Sequence, residues 1–130
     1  MKLVLDTNIY CDFAEGVAET VEAIALHGEL IYMPAIVIGE LVFGFLKGKQ
    51  PQSNERKLRQ VMSRLRIETI EVTAEVARKY AIIFLSLANK GNRIPINDVW
   101  IAACCMEIGG TLLTRDKHFK FVDQIASIII

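Results

Sequence analysis

Four acidic residues occupy positions from which a carboxylate could do chemistry. Asp6 directly follows the short apolar stretch "LVL", and Asp116 comes just after the similar stretch "TLLT". Glu40 has apolar or small residues three and four positions away on either side, which indicates the inward face of a helix. Asp98 opens the segment "DVWIAACCMEI". An ionised carboxylate at such a position needs a donor, a metal ion or water to receive it.

Each of these acids, taken alone, also has a structural explanation. Asp6 and Asp98 suit the first turn of a helix, where carboxylates cap the backbone and offset the macrodipole. Asp116 suits an exposed turn in "RDKH", and Glu40 could accept a hydrogen bond from a nearby backbone end. Asn97 precedes Asp98 and could take the capping role, which would leave the Asp98 carboxylate free to point outward. For each residue by itself these alternatives remain open.

Together, the four acids favour a different chemistry. Carboxylates without a cationic partner repel one another, and hard divalent cations such as Mg²⁺ and Mn²⁺ relieve that repulsion by taking oxygen ligands. Such a site can generate hydroxide from water and support an in-line displacement at phosphorus. The sequence lacks the ligand spacing of a zinc site, the lysine of a phosphate loop after "GELVFG" and the serine of a nucleophile elbow. The pattern therefore indicates a metal-dependent phosphodiesterase.

Basic residues cluster in two parts of the sequence, although the net charge is zero. Arg115 and Lys117 flank Asp116, and we expect them to hold substrate phosphates. A second group, seven basic residues against one acid, lies between Lys47 and Arg66. That group is also typical of the solvated face of an amphipathic helix. With no net charge, only local contacts of this kind could supply affinity for nucleic acid.

Apolar periodicity and helix-end signals predict the elements that must position these residues. The pattern predicts strands at residues 3–5, 29–34, 67–72, 111–116 and 125–130. It predicts helices at 18–28, 35–48, 53–66, 74–91 and 95–110, a short helical turn at 9–13 and a loop at 47–55. Strands that alternate with helices favour an α/β fold, a three-layer α/β/α sandwich with a central parallel sheet. In such folds ligands bind beyond the carboxyl ends of the strands, where Asp6 would lie.

Length and composition set the broad class. The 130 residues predict a single domain over residues 1–130. The hydrophobic fraction of 52% is somewhat high and indicates an oligomer or a partner surface. Three cysteines, two of them adjacent, give no disulfide framework, which is typical of a reducing, cytoplasmic compartment. We expect no signal peptide and no membrane span, because the longest apolar run is short and contains Glu40.

The segments "LVLDTN", "IGEL", "INDVWIAA" and "LLTRDKHF" occur in the order and spacing found in PIN-domain proteins. The chain resembles, in particular, the VapC-type toxins of toxin–antitoxin pairs. The resemblance implies a Mg²⁺- or Mn²⁺-dependent endoribonuclease with a parallel-sheet α/β/α fold. Asp6, Asp98 and Asp116 match metal-binding acids of the family, and Glu40 matches the acid that supports or ligates the metal. Thr114 matches a hydroxyl position near that site.

The resemblance also implies two protein partners, a second copy of the chain and an antitoxin whose tail blocks the site. It does not identify the RNA substrate, because relatives cut different RNAs. Two other classes remain open: another metal-dependent nuclease or phosphoesterase, and a non-catalytic PIN-like binding module. The presence of all four acids argues against the binding module, which would be expected to have lost metal ligands.

Overall fold

The chain forms five strands and six α-helices, and the computed structural model describes residues 1–130. In chain order the elements are β1 (Lys2–Leu5), α1 (Thr7–Glu15), α2 (Ala18–His27), β2 (Leu30–Pro34), α3 (Ala35–Lys47), α4 (Pro51–Arg64), β3 (Glu68–Ile70), α5 (Ala74–Lys90), α6 (Ile96–Ile108), β4 (Thr111–Thr114) and β5 (Ala126–Ile129). A 3₁₀ helix at Lys117–Phe121 connects β4 to β5.

All five strands run parallel, in the order β3-β2-β1-β4-β5. Consecutive residues of β1 and of β4 are buried, so both faces of the sheet are covered. Right-handed connections place α1 to α4 on one face and α5 and α6 on the other. The predicted α/β/α sandwich around a parallel sheet is confirmed.

The strand order changes direction beside β1. The chain adds β2 and β3 on one side of β1, and then crosses over to add β4 and β5 on the other. The carboxyl ends of β1 and β4 therefore border a crevice, which is the usual place for a ligand in an open parallel sheet. Leu5 of β1 lies opposite Leu113 of β4. The residues that follow them, Asp6 and Thr114, meet at this crevice.

Every element differs from its predicted bounds by one or two residues at one end or both, and β4 ends at Thr114 rather than at residue 116. Helix α4 begins at Pro51 rather than at residue 53, because proline suits the first turn, where its missing N–H would have no partner. The predicted loop at 47–55 is therefore much shorter. Strand β3 covers only Glu68–Ile70, since it lies at the sheet edge and pairs with β2 alone. Helix α1 is longer than the predicted turn at 9–13.

The hydrophobic core contains 27 buried residues and includes both adjacent cysteines. Cys104 and Cys105 are free thiols, and burial raises their pKa values to about 11 and about 12 respectively. Neither thiol is a nucleophile at neutral pH. Thr73 caps α5, where its hydroxyl accepts the N–H of Val76 at 3.2 Å. None of the helices combines the length and apolar character that a bilayer span requires.

Candidate active site

Asp6 lies at the end of β1 and is held by two hydrogen bonds. Its Oδ1 atom accepts the backbone N–H of Thr7 at 2.8 Å, and its Oδ2 atom accepts the Thr114 hydroxyl at 2.6 Å. The first bond makes Asp6 the N-cap of α1, so it caps a helix and borders the crevice at once. Burial raises the pKa of Asp6 above its ordinary value, and the charges of Glu40 and Asp116 raise it further.

The Thr114 hydroxyl joins the two central strand ends. It donates to Asp6 and accepts the backbone N–H of Asp116 at 2.9 Å. The Thr114 side chain is completely buried, so water cannot replace either bond. One buried hydroxyl therefore fixes the acid that follows β1 relative to the acid that follows β4.

Glu40 reaches the same crevice from the second turn of α3. Its Oε1 atom accepts the Thr7 hydroxyl at 2.7 Å, and its Oε2 atom accepts the side-chain amide of Asn97 at 3.4 Å. The suggestion that Asn97 caps α6 is wrong. Pro95 occupies the N-cap position, and no side chain bonds the end of the helix. Asn97 instead helps to hold Glu40.

Asp98 lies in the first turn of α6, where its Oδ2 atom is buried without a hydrogen-bond partner. It does not cap the helix, so the capping role is wrong for Asp98, while its place in the first turn still suits the helix macrodipole. Burial raises the pKa of Asp98 to about 7, and the charges of Asp6, Asp116 and Glu40 contribute to the rise. A buried carboxylate oxygen that no donor satisfies is a group that a bound cation would stabilise.

Asp116 and His118 complete the cluster beyond β4. The Oδ1 atom of Asp116 accepts the backbone N–H of His118 at 2.9 Å and lies 2.8 Å from the Nδ1 atom of the same residue. That ring nitrogen lies 3.7 Å from Asp98 Oδ2. One potential ligand atom from each of the three residues lies within 4.8 Å of the others. The sequence places His118 among the basic residues beside Asp116, in the segment "LLTRDKHF", but gives it no role as a ligand.

All four predicted acids line one open cleft. The lining comes from the ends of β1 and β4 and from the beginnings of α1, α3 and α6: Asp6, Thr7, Asn8, Glu40, Pro95, Ile96, Asn97, Asp98 and Asp116. The fold thus brings together acids that stand on four separate elements. Thr7 is a further member that the pattern does not single out, and its hydroxyl orients Glu40.

A model of the PIN domain family matches residues 3–125 of the chain. The chain belongs to the PIN domain family. A relative of this PIN-domain chain, Ribonuclease VapC5 of Mycobacterium tuberculosis, is 30% identical over 127 residues, which cover 98% of this chain and 92% of the relative. Ribonuclease VapC2 of Rickettsia felis is 32% identical over 131 residues, which cover 96% of this chain and 95% of the relative.

Solved PIN-domain structures share the fold. The structure of VapBC2 from Rickettsia felis, bound to a DNA fragment from the promoter, has a TM-score of 0.89 at 28% identity and covers 100% of this chain and 99% of its own. VapBC-5 of Mycobacterium tuberculosis, a member of the VapBC family of toxin–antitoxin systems, has a TM-score of 0.76 at 26% identity, with coverage of 99% and 98%. The resemblance to PIN-domain proteins of the VapC type is confirmed.

The donor atoms of this PIN-domain cleft fit a hard divalent cation. They are the carboxylate oxygens of Asp6, Glu40, Asp98 and Asp116, with one imidazole at the edge. Mg²⁺ and Mn²⁺ prefer oxygen ligands of this kind. The unsatisfied Oδ2 atom of Asp98 is the specific observation in favour, because no donor of the chain hydrogen-bonds it and the His118 ring nitrogen lies 3.7 Å away.

Arg115 and Lys117, the predicted phosphate-binding residues, are not among the residues that line the cleft. Arg115 Nη2 lies 2.8 Å from Oδ1 of Asp12, whose side chain is only 9% exposed. Asp12 otherwise accepts one long hydrogen bond, from the Thr20 hydroxyl at 3.5 Å. Arg115 therefore neutralises a buried acid that the sequence pattern does not identify. Lys117 is exposed and forms no ion pair. For both residues, phosphate binding stays a prediction.

Proposed function

We propose that this PIN-domain chain is a Mg²⁺- or Mn²⁺-dependent endoribonuclease and the toxin of a toxin–antitoxin pair. The observation that carries the proposal is the buried, unsatisfied Oδ2 atom of Asp98 in a cleft shared with three other acids. Such an uncompensated charge destabilises the metal-free fold, so a role in binding explains it better than a role in folding. The names of the relatives, which are ribonucleases, support RNA as the substrate.

In the proposed mechanism, Asp6, Asp98 and Asp116 would hold the cation, with Glu40 as a further ligand or a support. The chemistry that such a cation supplies when bound is Lewis acidity toward a phosphoryl oxygen and a lowered pKa of water. The acids gather negative charge at one point of a cleft that is open to the surface.

Neutral side chains set the positions of these acids before a substrate arrives. Thr114 holds Asp6 through its hydroxyl, while Thr7 and Asn97 each hold one oxygen of Glu40. Rotation of either carboxylate would break these bonds, so the acids are pre-organised. We therefore assign supporting roles to Thr114 and Asn97.

We propose an antitoxin and a second copy of this chain as protein partners. The antitoxin is supported by the relative VapBC-5, which belongs to a family of toxin–antitoxin systems. Large apolar side chains stand exposed along α5, at Ile82, Phe84 and Leu85, and they suit protein contacts. The cytoplasm is the proposed compartment, because the substrate would be cellular RNA and all three cysteines are free thiols.

The decisive experiment compares substrates and metals. The purified protein is incubated with total RNA, single-stranded DNA or a small phosphodiester, in Mg²⁺, Mn²⁺ or EDTA. We expect RNA to be cleaved with metal and to stay intact in EDTA. Asp98→Asn should lower the rate by about a hundredfold or more, the scale of losing several kcal/mol of transition-state charge stabilisation. Glu71→Gln, at an exposed acid outside the cleft, is the matched control and should cleave normally.

Three outcomes would contradict parts of the proposal. Full cleavage in excess EDTA would exclude metal dependence. Hydrolysis of DNA or of the small diester, with RNA left intact, would indicate another phosphoesterase. Expression in a growth assay tests the toxin role, since we expect growth arrest that the product of a neighbouring gene relieves. If expression does not affect growth and no product of a neighbouring gene binds this protein, the toxin role is wrong. That result would not contradict the proposed ribonuclease activity.

A further inference from the structure

A shallow groove extends from the acidic cleft along α3. Its lining residues are Ala35, Ile36, Gly39, Glu40, Phe43 and Asn97. Glu40 and Asn97 also line the acidic cleft, so the groove adjoins the cleft at the contact between these two side chains. Whatever polymer occupies the cleft can therefore continue into the groove without leaving the surface.

Residues spaced along one side of α3 give this groove its chemistry. Ile36, Glu40, Phe43 and Lys47 follow one another at intervals of four, three and four residues, which places them on the same side of the helix. At about 1.5 Å per residue, Phe43 lies about 4.5 Å and Lys47 about 10 Å beyond Glu40 along the helix axis. The order from the cleft outward is thus an acid, an aromatic ring and a cation.

Phe43 is a large aromatic side chain that is 62% exposed. The Lys47 ammonium lies 5.0 Å from the centroid of the Phe43 ring, within the range of a cation–π contact. Lys47 forms no ion pair with a carboxylate, so its charge is available to a phosphate. A flat ring beside an unpaired cation is the combination with which proteins bind single-stranded nucleic acid.

Gly39 leaves the groove beside this ring open. No atom lies within 4 Å of the point that a Cβ atom of residue 39 would occupy, so packing does not require glycine there. Glycine inside a helix costs about 1 kcal/mol relative to alanine. The missing side chain at residue 39 therefore leaves open space on the side of α3 that lines the groove.

We propose that Phe43 stacks against a base of the RNA strand next to the scissile phosphate, and that Lys47 contacts a backbone phosphate beyond that base. This inference rests on the proposed ribonuclease function. Stacking on a phenyl ring accepts every base, so Phe43 would position the strand without selecting its sequence. The strand would leave the acidic cleft along α3.

Cleavage of a short single-stranded RNA that contains a mapped cut site tests the stacking. Phe43→Ala should lower kcat/KM by about fivefold to about a hundredfold, the range expected for one lost base stack. Phe43→Trp should retain activity. Leu46→Ala is the matched control, because Leu46 is 69% exposed on the same helix and does not line the groove. A substrate that lacks the base on one side of the cut should lower kcat/KM of the wild type by the same factor. The same substrate should not lower kcat/KM of Phe43→Ala any further.

A binding measurement tests the proposal independently of cleavage. Tryptophan fluorescence of Phe43→Trp should be quenched when a short RNA of mixed sequence is added, beyond the change that the wild type shows from Trp100. Lys47→Ala should weaken binding and lower the salt slope of log K by about one. Phe43→Ala should keep that slope.

The outcomes distinguish a failure of the Phe43 stacking site from a failure of the proposed ribonuclease function. If the wild type cleaves no RNA while RNA quenches Phe43→Trp, the ribonuclease is wrong and the stacking site stands. The stacking site is wrong if Phe43→Ala binds and cleaves RNA as the wild type does. It is also wrong if the substitution lowers kcat/KM by the same factor on the substrate with the base and on the substrate without it. It is also wrong if Phe43→Ala changes only the mass of the particle in solution, since the groove would then be a contact between copies of this chain.

Discussion

Asp98→Asn is the substitution that tests the cleft most directly in the metal-free protein. Asparagine keeps the shape of the aspartate side chain. The substitution breaks no hydrogen bond at Oδ2, because that buried atom has none. What it removes is one negative charge that faces Asp6, Asp116 and Glu40. We therefore expect Asp98→Asn to stabilise the fold when no metal is present.

The size of the effect follows from the pKa of Asp98, which is about 7 in the folded chain against an ordinary value of 3.8. Above pH 7 the difference between these values corresponds to about 4 kcal/mol, and screening by water in the open cleft reduces this to about 1–2 kcal/mol. The folded state keeps the Asp98 proton to a higher pH than the unfolded state. The wild type therefore loses this stability as the pH rises from about 4 to about 7, and Asp98→Asn does not.

Urea unfolding in EDTA, repeated from about pH 5 to about pH 8, measures this difference as a free energy of unfolding. The free energy of unfolding of Asp98→Asn should exceed that of the wild type by a small amount near pH 5 and by the largest amount near pH 8. Asp6→Asn is an informative comparison and should gain less, since the Asp6 oxygens accept bonds from Thr7 and Thr114 that an amide only partly replaces. If Asp98→Asn and the wild type have the same free energy of unfolding at every pH, repulsion from the neighbouring acids does not destabilise the Asp98 carboxylate. The proposed metal site would then be wrong.

Three further predictions concern the same end of the sheet. Thr114→Val should lower the free energy of unfolding by about 1–3 kcal/mol in urea titrations, because it removes both buried hydrogen bonds between the strand ends. Arg115→Ala should cost about 1–2 kcal/mol in the same assay, since it leaves Asp12 buried without its half-exposed partner, whereas Lys117→Ala should change nothing. Mg²⁺ at a hundred times its dissociation constant should stabilise the wild type by about 2.7 kcal/mol and Asp98→Asn much less; equal melting shifts for the two proteins would contradict a metal site.

The sequence predicts the gathering of the four acids because local patterns determine it. Short apolar strands that alternate with helices specify a parallel sheet, and all carboxyl ends of a parallel sheet lie at one edge. Asp6 and Asp116 each follow such a strand, so their meeting requires only the correct strand order. Glu40 lies in the second turn of α3 and Asp98 in the first turn of α6, and both helices start at the same edge of the sheet, which brings these acids within reach.

The contacts between side chains are less predictable because distant parts of the chain supply them. Arg115 finds Asp12 across 103 positions of sequence, and no periodicity marks a salt bridge of that kind. Asn97 is a residue type that often caps helices, yet its side-chain amide donates a hydrogen bond to the Glu40 carboxylate instead. Helix α4 starts at Pro51 because a proline early in a polar stretch can open a helix as readily as interrupt one.

The Thr114 hydroxyl has a consequence for how the molecule is made. It bonds Asp6 across 108 positions of sequence, through the pairing of β1 with β4 at the centre of the sheet. A ribosome releases β1 first and β4 only after α6 has emerged, so until then a nascent chain carries Asp6 without Thr114 or Asp116. Partial chains thus hold incomplete sites, and the proposed activity would begin in one late step of translation rather than grow with chain length. For an enzyme proposed to cut RNA, this order of assembly delays its action until β4 and the residues that follow it have emerged.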